Sequence, residues 1–257
     1  MSSPKKSLGQ NFLTSIPARN AIVAAGELKK GEKVLEIGPG KGMLTSGLLD
    51  AGATVLALEK DRELIPLLEE KFRKEIQSGT FILTEGDVLA TDPPKGKYKL
   101  IANIPYYITG AILSKYLTAE NYPESMVVLV QKEVAERIVA RDGKHSLLSL
   151  SVHVYGTPKI VYRVSKGSFY PIPSVDSAVL AITDISHKNF KDKKHEEMFF
   201  KVLHSGFAHK RKFLIRNLET IAPKELLEEV FTKNNIQKNI RSEDVTLPVW
   251  LLLASSL

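Results

Sequence analysis

The chain has 257 residues, of which 43% are hydrophobic and 25% charged, and its formal charge is +7. This length and composition predict a soluble protein with a sizeable core, built as one large domain and a small appendage. No run approaches the ~18 consecutive apolar residues of a membrane span, and the lack of cysteine excludes disulfides, thiol nucleophiles and cysteine-based zinc sites.

Three further expectations rest on composition. The first residues carry no apolar signal core, so we expect a cytoplasmic protein with no membrane partner. The histidines show no paired spacing typical of a metal site, and no metal is predicted. Basic residues outnumber acidic ones by 13 to 9 in 187–257 and by 23 to 20 in 1–186, which indicates an anionic partner, most of all for the last quarter.

The first predicted strand leads into a glycine loop. Residues 5–13 are too polar for a core strand but carry apolar anchors, so we expect them to pack across a neighbouring site, and a helix is predicted over 16–28. An apolar strand over 33–38 ends in Gly38-Pro39-Gly40-Lys41-Gly42, before a helix over 43–49. Glycines let a ligand approach the backbone, and the helix start offers free N–H groups. The Gly-x-Gly-x-Gly spacing favours S-adenosylmethionine over NAD, which prefers Gly-x-Gly-x-x-Gly.

Acidic residues follow the next two predicted strands. The strand over 54–58 is followed by Glu59, 21 residues after Gly38, where a carboxylate is placed to accept both hydroxyls of a ribose. The alternative is that Glu59 caps the following helix. The strand over 81–84 leads to Asp87, which we expect to accept from the amine of the cofactor's adenine, with Val88 beside the ring.

The strand predicted over 98–102 runs into the corner Asn103-Ile104-Pro105-Tyr106. Ligands of open α/β sheets bind at the carboxyl ends of strands. The Asn103 carboxamide oxygen and a backbone carbonyl held by Pro105 form two acceptors suited to the N–H groups of an adenine or cytosine amine. Tyr106 offers a face on which the base stacks, worth about 1–3 kcal/mol. The alternative is an ordinary turn.

Helices and strands keep alternating up to residue 182. Helices are predicted over 110–118, 132–141 and 146–155, and strands over 126–130, 159–164 and 177–182. A proline-containing loop over 166–176 is expected to hold Phe169 opposite Tyr106 across a flipped base, with plain loop packing of Phe169 as the alternative.

Only helical patterns follow residue 187, over 196–208, 212–221, 223–234 and 247–255, so a domain boundary is predicted between 186 and 187. Within this part, residues 201–216 contain no acid and five basic residues, namely Lys201, Lys210, Arg211, Lys212 and Arg216. Such a run suits RNA phosphates, and a solvated helix face is the alternative.

These motifs together closely resemble those of the ribosomal RNA adenine dimethyltransferase family, of the bacterial small-subunit type, and the resemblance runs nearly end to end. The residues that carry it are Gly9–Leu13, Glu36–Gly42, Glu59, Asp87, Asn103–Ile108, Val130–Arg137, Phe169–Ser177 and Lys210–Lys212. The resemblance implies an α/β fold, a Rossmann-like S-adenosylmethionine methyltransferase sheet with an antiparallel last strand in 1–186, plus a small all-α RNA-binding domain in 187–257.

The resemblance also implies roles for individual residues. The expected catalytic set is Asn103, Pro105, Tyr106 and Phe169. The expected cofactor-binding set is Asn11, Leu13, Gly38, Gly40, Glu59, Lys60, Asp87, Val88 and Asn103. The expected RNA-binding set is Lys210, Arg211, Lys212 and Arg216.

The expected activity is S-adenosylmethionine-dependent dimethylation of the exocyclic amine of adenine in small-subunit ribosomal RNA or the pre-ribosomal small subunit, by a monomer that serves ribosome biogenesis. Three alternatives stay open: a large-subunit methyltransferase of the resistance type, a non-catalytic RNA-binding assembly factor and a nicotinamide oxidoreductase. The presence of Glu59, Asp87 and Asn103 argues against the assembly factor, and the glycine spacing argues against the oxidoreductase.

Overall fold

A computed structural model describes residues 4–5 and 8–257 of the chain. Within these residues the strands are β1 (Phe12–Leu13), β2 (Lys33–Ile37), β3 (Thr54–Glu59), β4 (Phe81–Glu85), β5 (Lys99–Asn103), β6 (Met126–Gln131), β7 (Thr157–Val164), β8 (Phe169–Tyr170) and β9 (Ser177–Thr183). The helices are α1 (Ile16–Ala25), α2 (Met43–Asp50), α3 (Ile65–Lys71), α4 (Arg73–Gln77), α5 (Thr109–Leu117), α6 (Lys132–Ile138), α7 (Leu147–His153), α8 (Lys193–Gly206), α9 (Leu214–Leu218), α10 (Lys224–Lys233) and α11 (Leu247–Ser256).

Seven of these strands form one sheet in the order β4-β3-β2-β5-β6-β9-β7. Only β9 runs against the others in this sheet, since it is antiparallel to both β6 and β7. The strand order reverses between β2 and β5, which pair through Val34 with Lys99 and Leu35 with Leu100. Such a reversal opens a crevice at the carboxyl ends of the strands, where ligands of α/β sheets bind. The predicted α/β sheet with an antiparallel last strand is confirmed.

The central strands read as nearly unbroken apolar runs because both of their faces are covered. All residues of β6 except Gln131 are buried, and all residues of β9 except Thr183 are buried. The edge strands β4 and β7 alternate with exposed residues instead. Burial on two faces explains why the apolar patterns in the sequence located the central strands to within one or two residues.

The chain divides into two compact units, and its last crossing from the first to the second lies between Ile185 and Ser186. The first unit contains the described residues up to Ala135 together with Thr157–Ile185. The second unit contains Glu136–Gly156 together with Ser186–Leu257. Residues 136–156, which the sequence prediction placed in the first domain, thus cluster with the C-terminal helices. The Tyr155 hydroxyl donates to Glu196 in α8, and the Ser186 backbone N–H donates to the Tyr155 carbonyl at 2.8 Å.

The second unit has its own core, made of helices. α8 and α11 pack against each other with Trp250 fully buried between the helices of this unit. A Cβ atom at Gly206 would lie 2.4 Å from the Trp250 ring, so a larger residue does not fit there. Phe207 stacks on the same ring at a centroid distance of 5.4 Å.

Several predicted helices are shorter in the structure than in the sequence pattern, and for α6 and α9 the backbone shows the cause. α6 ends at Ile138 instead of residue 141, and Ala140 adopts a φ of 51°, which no α-helix tolerates. α9 spans only Leu214–Leu218 instead of 212–221, because Phe213 is extended and no side chain caps the helix start. Within residues 4–5 and 8–257, no helix combines the length and the apolarity needed to cross a membrane.

Candidate functional site

An open cavity lies at the carboxyl ends of β2, β3 and β5 in the first unit. It collects side chains and backbone from separate parts of the chain, and every predicted cofactor residue lines it. The predicted residues at the cavity are Asn11, Leu13, Gly38, Gly40, Glu59, Lys60, Asp87, Val88, Asn103, Pro105 and Tyr106.

The glycine loop forms one wall of the cavity, and its backbone has positive φ angles that residues with a side chain rarely adopt. Gly38 and Gly40 have φ values of 65° and 60°. A Cβ atom at Gly40 would lie 3.0 Å from the Phe12 ring, and the Gly40 backbone N–H donates to Glu59 Oε2 at 3.0 Å. Glycine at this position therefore serves both the backbone geometry and the close contact with β1.

Glu59 ends β3 with its carboxylate facing the glycine loop. Oε2 accepts from Gly40, and Oε1 accepts from the Asp61 backbone N–H at 2.8 Å. Burial raises the pKa of Glu59, although these hydrogen bonds oppose the rise. α3 begins at Ile65 with no side-chain cap, so Glu59 does not cap that helix. Each carboxylate oxygen keeps a lone pair with which it can accept from a hydroxyl.

Lys60 and Asp87 form an ion pair at the rim of the cavity. Lys60 Nζ lies 2.8 Å from Asp87 Oδ2, and Asp87 Oδ1 accepts from the Leu89 backbone N–H at 2.9 Å. The hydrogen bond from Lys60 is the main reason that the pKa of Asp87 is lowered. Asp87 is therefore an ionised acceptor at neutral pH, and Val88 beside it is buried.

The corner after β5 is held from two directions. Asn103 Nδ2 donates to the backbone carbonyl of Asn11 at 3.1 Å, which leaves Oδ1 as the free acceptor of the amide. Tyr106 and Ser177 share a hydroxyl–hydroxyl hydrogen bond of 2.7 Å, and burial raises the pKa of Tyr106. Ile104 is buried and Pro105 has a φ of −58°. The corner is a fixed structure and not a loose turn.

Phe169 is not among the residues that line the cavity, and its side chain lies in the core. β8 pairs with β1, where Phe169 is opposite Leu13 and Tyr170 is opposite Phe12. Successive side chains of a strand point to opposite faces. Phe169 is 2% exposed and belongs to the core, whereas Tyr170 is 59% exposed. The structure thus shows the ring of Phe169 in the core, and the clamp across a flipped base, which concerns the protein with RNA bound, stays a prediction.

Glu36 is a cavity residue for which the sequence interpretation assigned no role. Its side chain is 1% exposed, and its Oε2 has no hydrogen-bond partner among the described residues. Burial raises the pKa of Glu36 from 4.5 to about 8. The sequence feature that could have revealed its role is an acidic residue within the buried part of the strand Lys33–Ile37, directly before the glycine loop. A buried carboxyl with one unpaired oxygen is suited to a cationic group of a ligand.

The predicted RNA-binding residues lie in the second unit. Lys210, Arg211 and Lys212 are exposed in the turn between α8 and α9, so they precede the helix instead of starting it. Arg216 is exposed on α9, where it forms an ion pair with Glu219 at 2.8 Å. Three cations of the set are thus presented by a turn, while the fourth has an acidic neighbour.

Comparison with known proteins identifies the family. A family model described as "Ribosomal RNA adenine dimethylase" matches residues 1–257. Two curated relatives are each called ribosomal RNA small subunit methyltransferase A. The one from Dehalococcoides mccartyi (strain 195) is 40% identical over 97% of this chain and 87% of its own length. The one from Fusobacterium nucleatum is 34% identical over 97% of this chain and 96% of its own length.

Two solved structures have the same fold over nearly the whole chain. A dimethyladenosine transferase from Plasmodium falciparum has a TM-score of 0.82 and 25% identity, and covers 94% of this chain and 95% of its own. The 23S rRNA methyltransferase ErmE has a TM-score of 0.77 and 26% identity, and the match covers 96% of this chain and 99% of ErmE. The Rossmann-like methyltransferase fold is thereby confirmed. The chain belongs to the ribosomal RNA adenine dimethylase family and is an enzyme of that class.

Proposed function

We propose that the protein transfers methyl groups from S-adenosylmethionine to the exocyclic amine of adenine in small-subunit ribosomal RNA, forming dimethyladenine. The observation that carries this proposal is the orientation of Asn103, whose Nδ2 is engaged by Asn11 so that Oδ1 is free beside the cavity. An acceptor fixed in this way suits a substrate that brings N–H donors.

The residues of the cavity fit S-adenosylmethionine. The glycine loop leaves room for the amino-acid part, because a Cβ atom at Gly38, which lines the cavity, would have no atom within 4 Å and would project into open space. The buried carboxyl of Glu36 suits the ammonium group, Glu59 suits the ribose hydroxyls, and ionised Asp87 suits the adenine amine with Val88 beside the ring. The cofactor supplies a methyl group on a sulfonium, which is already activated for transfer.

The protein's own part in the reaction is positioning. An adenine amine is a poor nucleophile because its lone pair is delocalised into the ring. Asn103 Oδ1 and the carbonyl of Ile104 or Pro105 accept its two N–H groups, favour a pyramidal nitrogen and direct the lone pair towards the methyl group. Tyr106 offers its face to the base, and its hydroxyl is held by Ser177. Each transfer would form one N–C bond and break one S–C bond, and the methylated amine would then release one proton to solvent. After the first transfer one N–H remains, and the second transfer uses one acceptor.

RNA is held by the second unit in this proposal. Lys210, Arg211 and Lys212 are exposed, have no acid in the surrounding run 201–216, and form a turn that is open to phosphates. Arg216 contributes less, because Glu219 neutralises it. We further propose a cytoplasmic monomer that acts on the pre-ribosomal small subunit in ribosome biogenesis.

The other candidate functions are less well supported. The relatives named for the small subunit match at 34–46% identity, against 26% for ErmE, which disfavours the large-subunit alternative. A non-catalytic assembly factor has no need of the oriented Asn103 amide. An oxidoreductase has no need of an amine-binding corner.

Two measurements test the proposal. The melting temperature should rise with S-adenosylmethionine and not with NAD, because a ligand stabilises the state that binds it. Mass analysis of small-subunit RNA from cells that lack the protein should show unmethylated adenine in place of dimethyladenine. Methylation that is intact without the protein would contradict the proposal.

A further inference from the structure

The cavity is lined by a run of residues near the N-terminus, Leu8–Leu13, which we call the N-terminal segment. Only Phe12 and Leu13 of this segment form a strand, paired with β8. The four residues before them lie outside the described strands. A contact other than a sheet ladder must therefore hold residues 8–11 against the cavity.

Besides the hydrogen bond from Asn103 to the Asn11 carbonyl, Asp61 provides such a contact. Its side chain is 2% exposed, and its Oδ2 accepts from Gln10 Nε2 at 2.7 Å. Its Oδ1 accepts from Lys5 Nζ at 2.6 Å, and Gln10 Oε1 accepts from the Lys5 backbone N–H at 2.7 Å. The Gln10 amide is thus engaged at both ends, once by a buried carboxylate and once by backbone.

Two parts of the proposed site depend on the residues next to this contact. The Asp61 backbone N–H donates to Glu59 Oε1 at 2.8 Å, so the same residue supports the predicted ribose acid. Asn11 directly follows Gln10, and its carbonyl accepts from Asn103 Nδ2. Fixing Gln10 therefore fixes the backbone group that orients the Asn103 amide.

The charge state suits this role. Burial opposes ionisation of Asp61, but hydrogen bonds from Lys5, Gln10 and the Glu63 backbone outweigh it and lower the pKa of Asp61. The carboxylate is ionised at neutral pH, and hydrogen bonds to a charged group are stronger than those between neutral groups.

We propose that Asp61 is a positioning residue for methyl transfer: through Gln10 it holds the N-terminal segment against the cofactor cavity and keeps the Asn103 amide in its productive orientation. This inference rests on the proposed function, since it takes the cavity as the site of S-adenosylmethionine and Asn103 as the acceptor of the target amine.

A purely structural role for Asp61 makes a different prediction. Asp61 also accepts from the Glu63 backbone N–H at 3.2 Å, and its carbonyl accepts from the Leu64 N–H at 2.9 Å, so it shapes the turn before α3. If this turn were its only role, substitution of Asp61 would change stability without any coupling to Gln10.

An exchange of the two partners separates these roles. Asp61→Asn removes the charge, and Gln10→Glu places two carboxylates against each other, whereas the double variant again has one carboxylate facing one amide. We expect each single variant to raise the Kd for S-adenosylmethionine about tenfold and to lower kcat, and the double variant to return to within about threefold of the wild type. Hydrogen exchange of residues 8–13 should accelerate in the single variants and recover in the double variant.

Two further variants complete the experiment. Asp50→Asn makes the same substitution at an exposed carboxylate of α2 and should leave binding and turnover unchanged. Gln10→Leu removes the contact without adding charge, and replaces Gln10→Glu if that variant does not fold. Calorimetric titration with S-adenosylmethionine gives Kd, and steady-state transfer to unmethylated small subunits separates kcat from KM.

The possible failures are distinct. If the wild type binds the cofactor and the single variants bind equally well, or if the effects of the two substitutions simply multiply in the double variant, the positioning role is overturned while the proposed function stands. If the wild type binds no S-adenosylmethionine, the proposed function fails and this inference fails with it.

Discussion

The side chain of Asn103 and the backbone of Asn11 are joined by a hydrogen bond of 3.1 Å, in which Asn103 Nδ2 is the donor. The two residues are 92 positions apart in the chain. Because an amide has one oxygen and one nitrogen, engagement of the nitrogen determines where the oxygen points. The acceptor that we propose for the target amine is therefore aimed by the N-terminal segment.

Replacement of Asn103 should separate binding from chemistry. Asn103→Ala removes the side-chain acceptor and should abolish methyl transfer, while the Kd for S-adenosylmethionine stays within a fewfold of the wild type. Asn103→Asp keeps an oxygen but loses the donor to Asn11, so turnover should also fall sharply. Single-turnover assays with unmethylated small subunits measure this, and unchanged turnover in Asn103→Ala would refute the assigned role.

Glu36→Gln should stabilise the free protein at neutral pH. The folded protein raises the pKa of Glu36 from 4.5 to about 8, so above pH 4.5 the carboxyl ionises more readily in the unfolded state. The free energy of unfolding therefore falls between pH 4.5 and about 8, and glutamine removes this loss, by up to about 3 kcal/mol at pH 7. Urea denaturation at pH 5 and pH 7 measures the difference, which must grow with pH for the interpretation to hold.

The same variant should bind S-adenosylmethionine more weakly. A neutral amide cannot balance the ammonium group that we assign to Glu36, so the affinity should fall and lose its dependence on pH below 8. Titrations of wild type and Glu36→Gln between pH 6 and pH 9 test this prediction. An affinity of the wild type that does not change over this range would argue against an ammonium partner.

Replacement of Phe169 and replacement of its neighbour Tyr170 should differ strongly in their effect on stability. Phe169→Ala leaves a cavity in the core and should lower the free energy of unfolding by about 3 kcal/mol. Tyr170→Ala changes an exposed ring, which has Lys41 Nζ at 6.0 Å from its centroid, and should change stability by at most about 0.5 kcal/mol. Denaturant titration distinguishes the two, and an undestabilised Phe169→Ala would show that the ring is not part of the core.

Charge reversal in the turn before α9 should weaken RNA binding in a salt-dependent manner. Each lost phosphate contact removes close to one released counterion, so Lys210→Glu with Arg211→Glu should reduce the slope of log K against log salt by about 1.4–1.8. Reversal of Lys224 and Lys233 on α10 changes the net charge equally and serves as the control. Equal slopes for both pairs would show that Lys210–Lys212 form a solvated surface that does not contact RNA phosphates.

Much of the site was predictable because its residues follow strands whose patterns are local. Buried parallel strands are short apolar runs, and the polar residue after each run marks a carboxyl end of the sheet. Gly38, Glu59, Asp87 and Asn103 could each be placed in this way, and the structure gathers all four at one cavity. Helical patterns after residue 187 likewise predicted the helices of the C-terminal region.

Other features needed the folded chain. The inward direction of Phe169 depends on its pairing with Leu13, which lies 156 positions earlier in the chain. The contact of Gln10 with Asp61 joins residues 51 positions apart. Local sequence determined which residues end each strand, because periodicity and turn chemistry act between neighbours. Tertiary structure alone decided which side chains meet and in which direction they point, because hydrogen bonds and burial depend on distance in space and not along the chain.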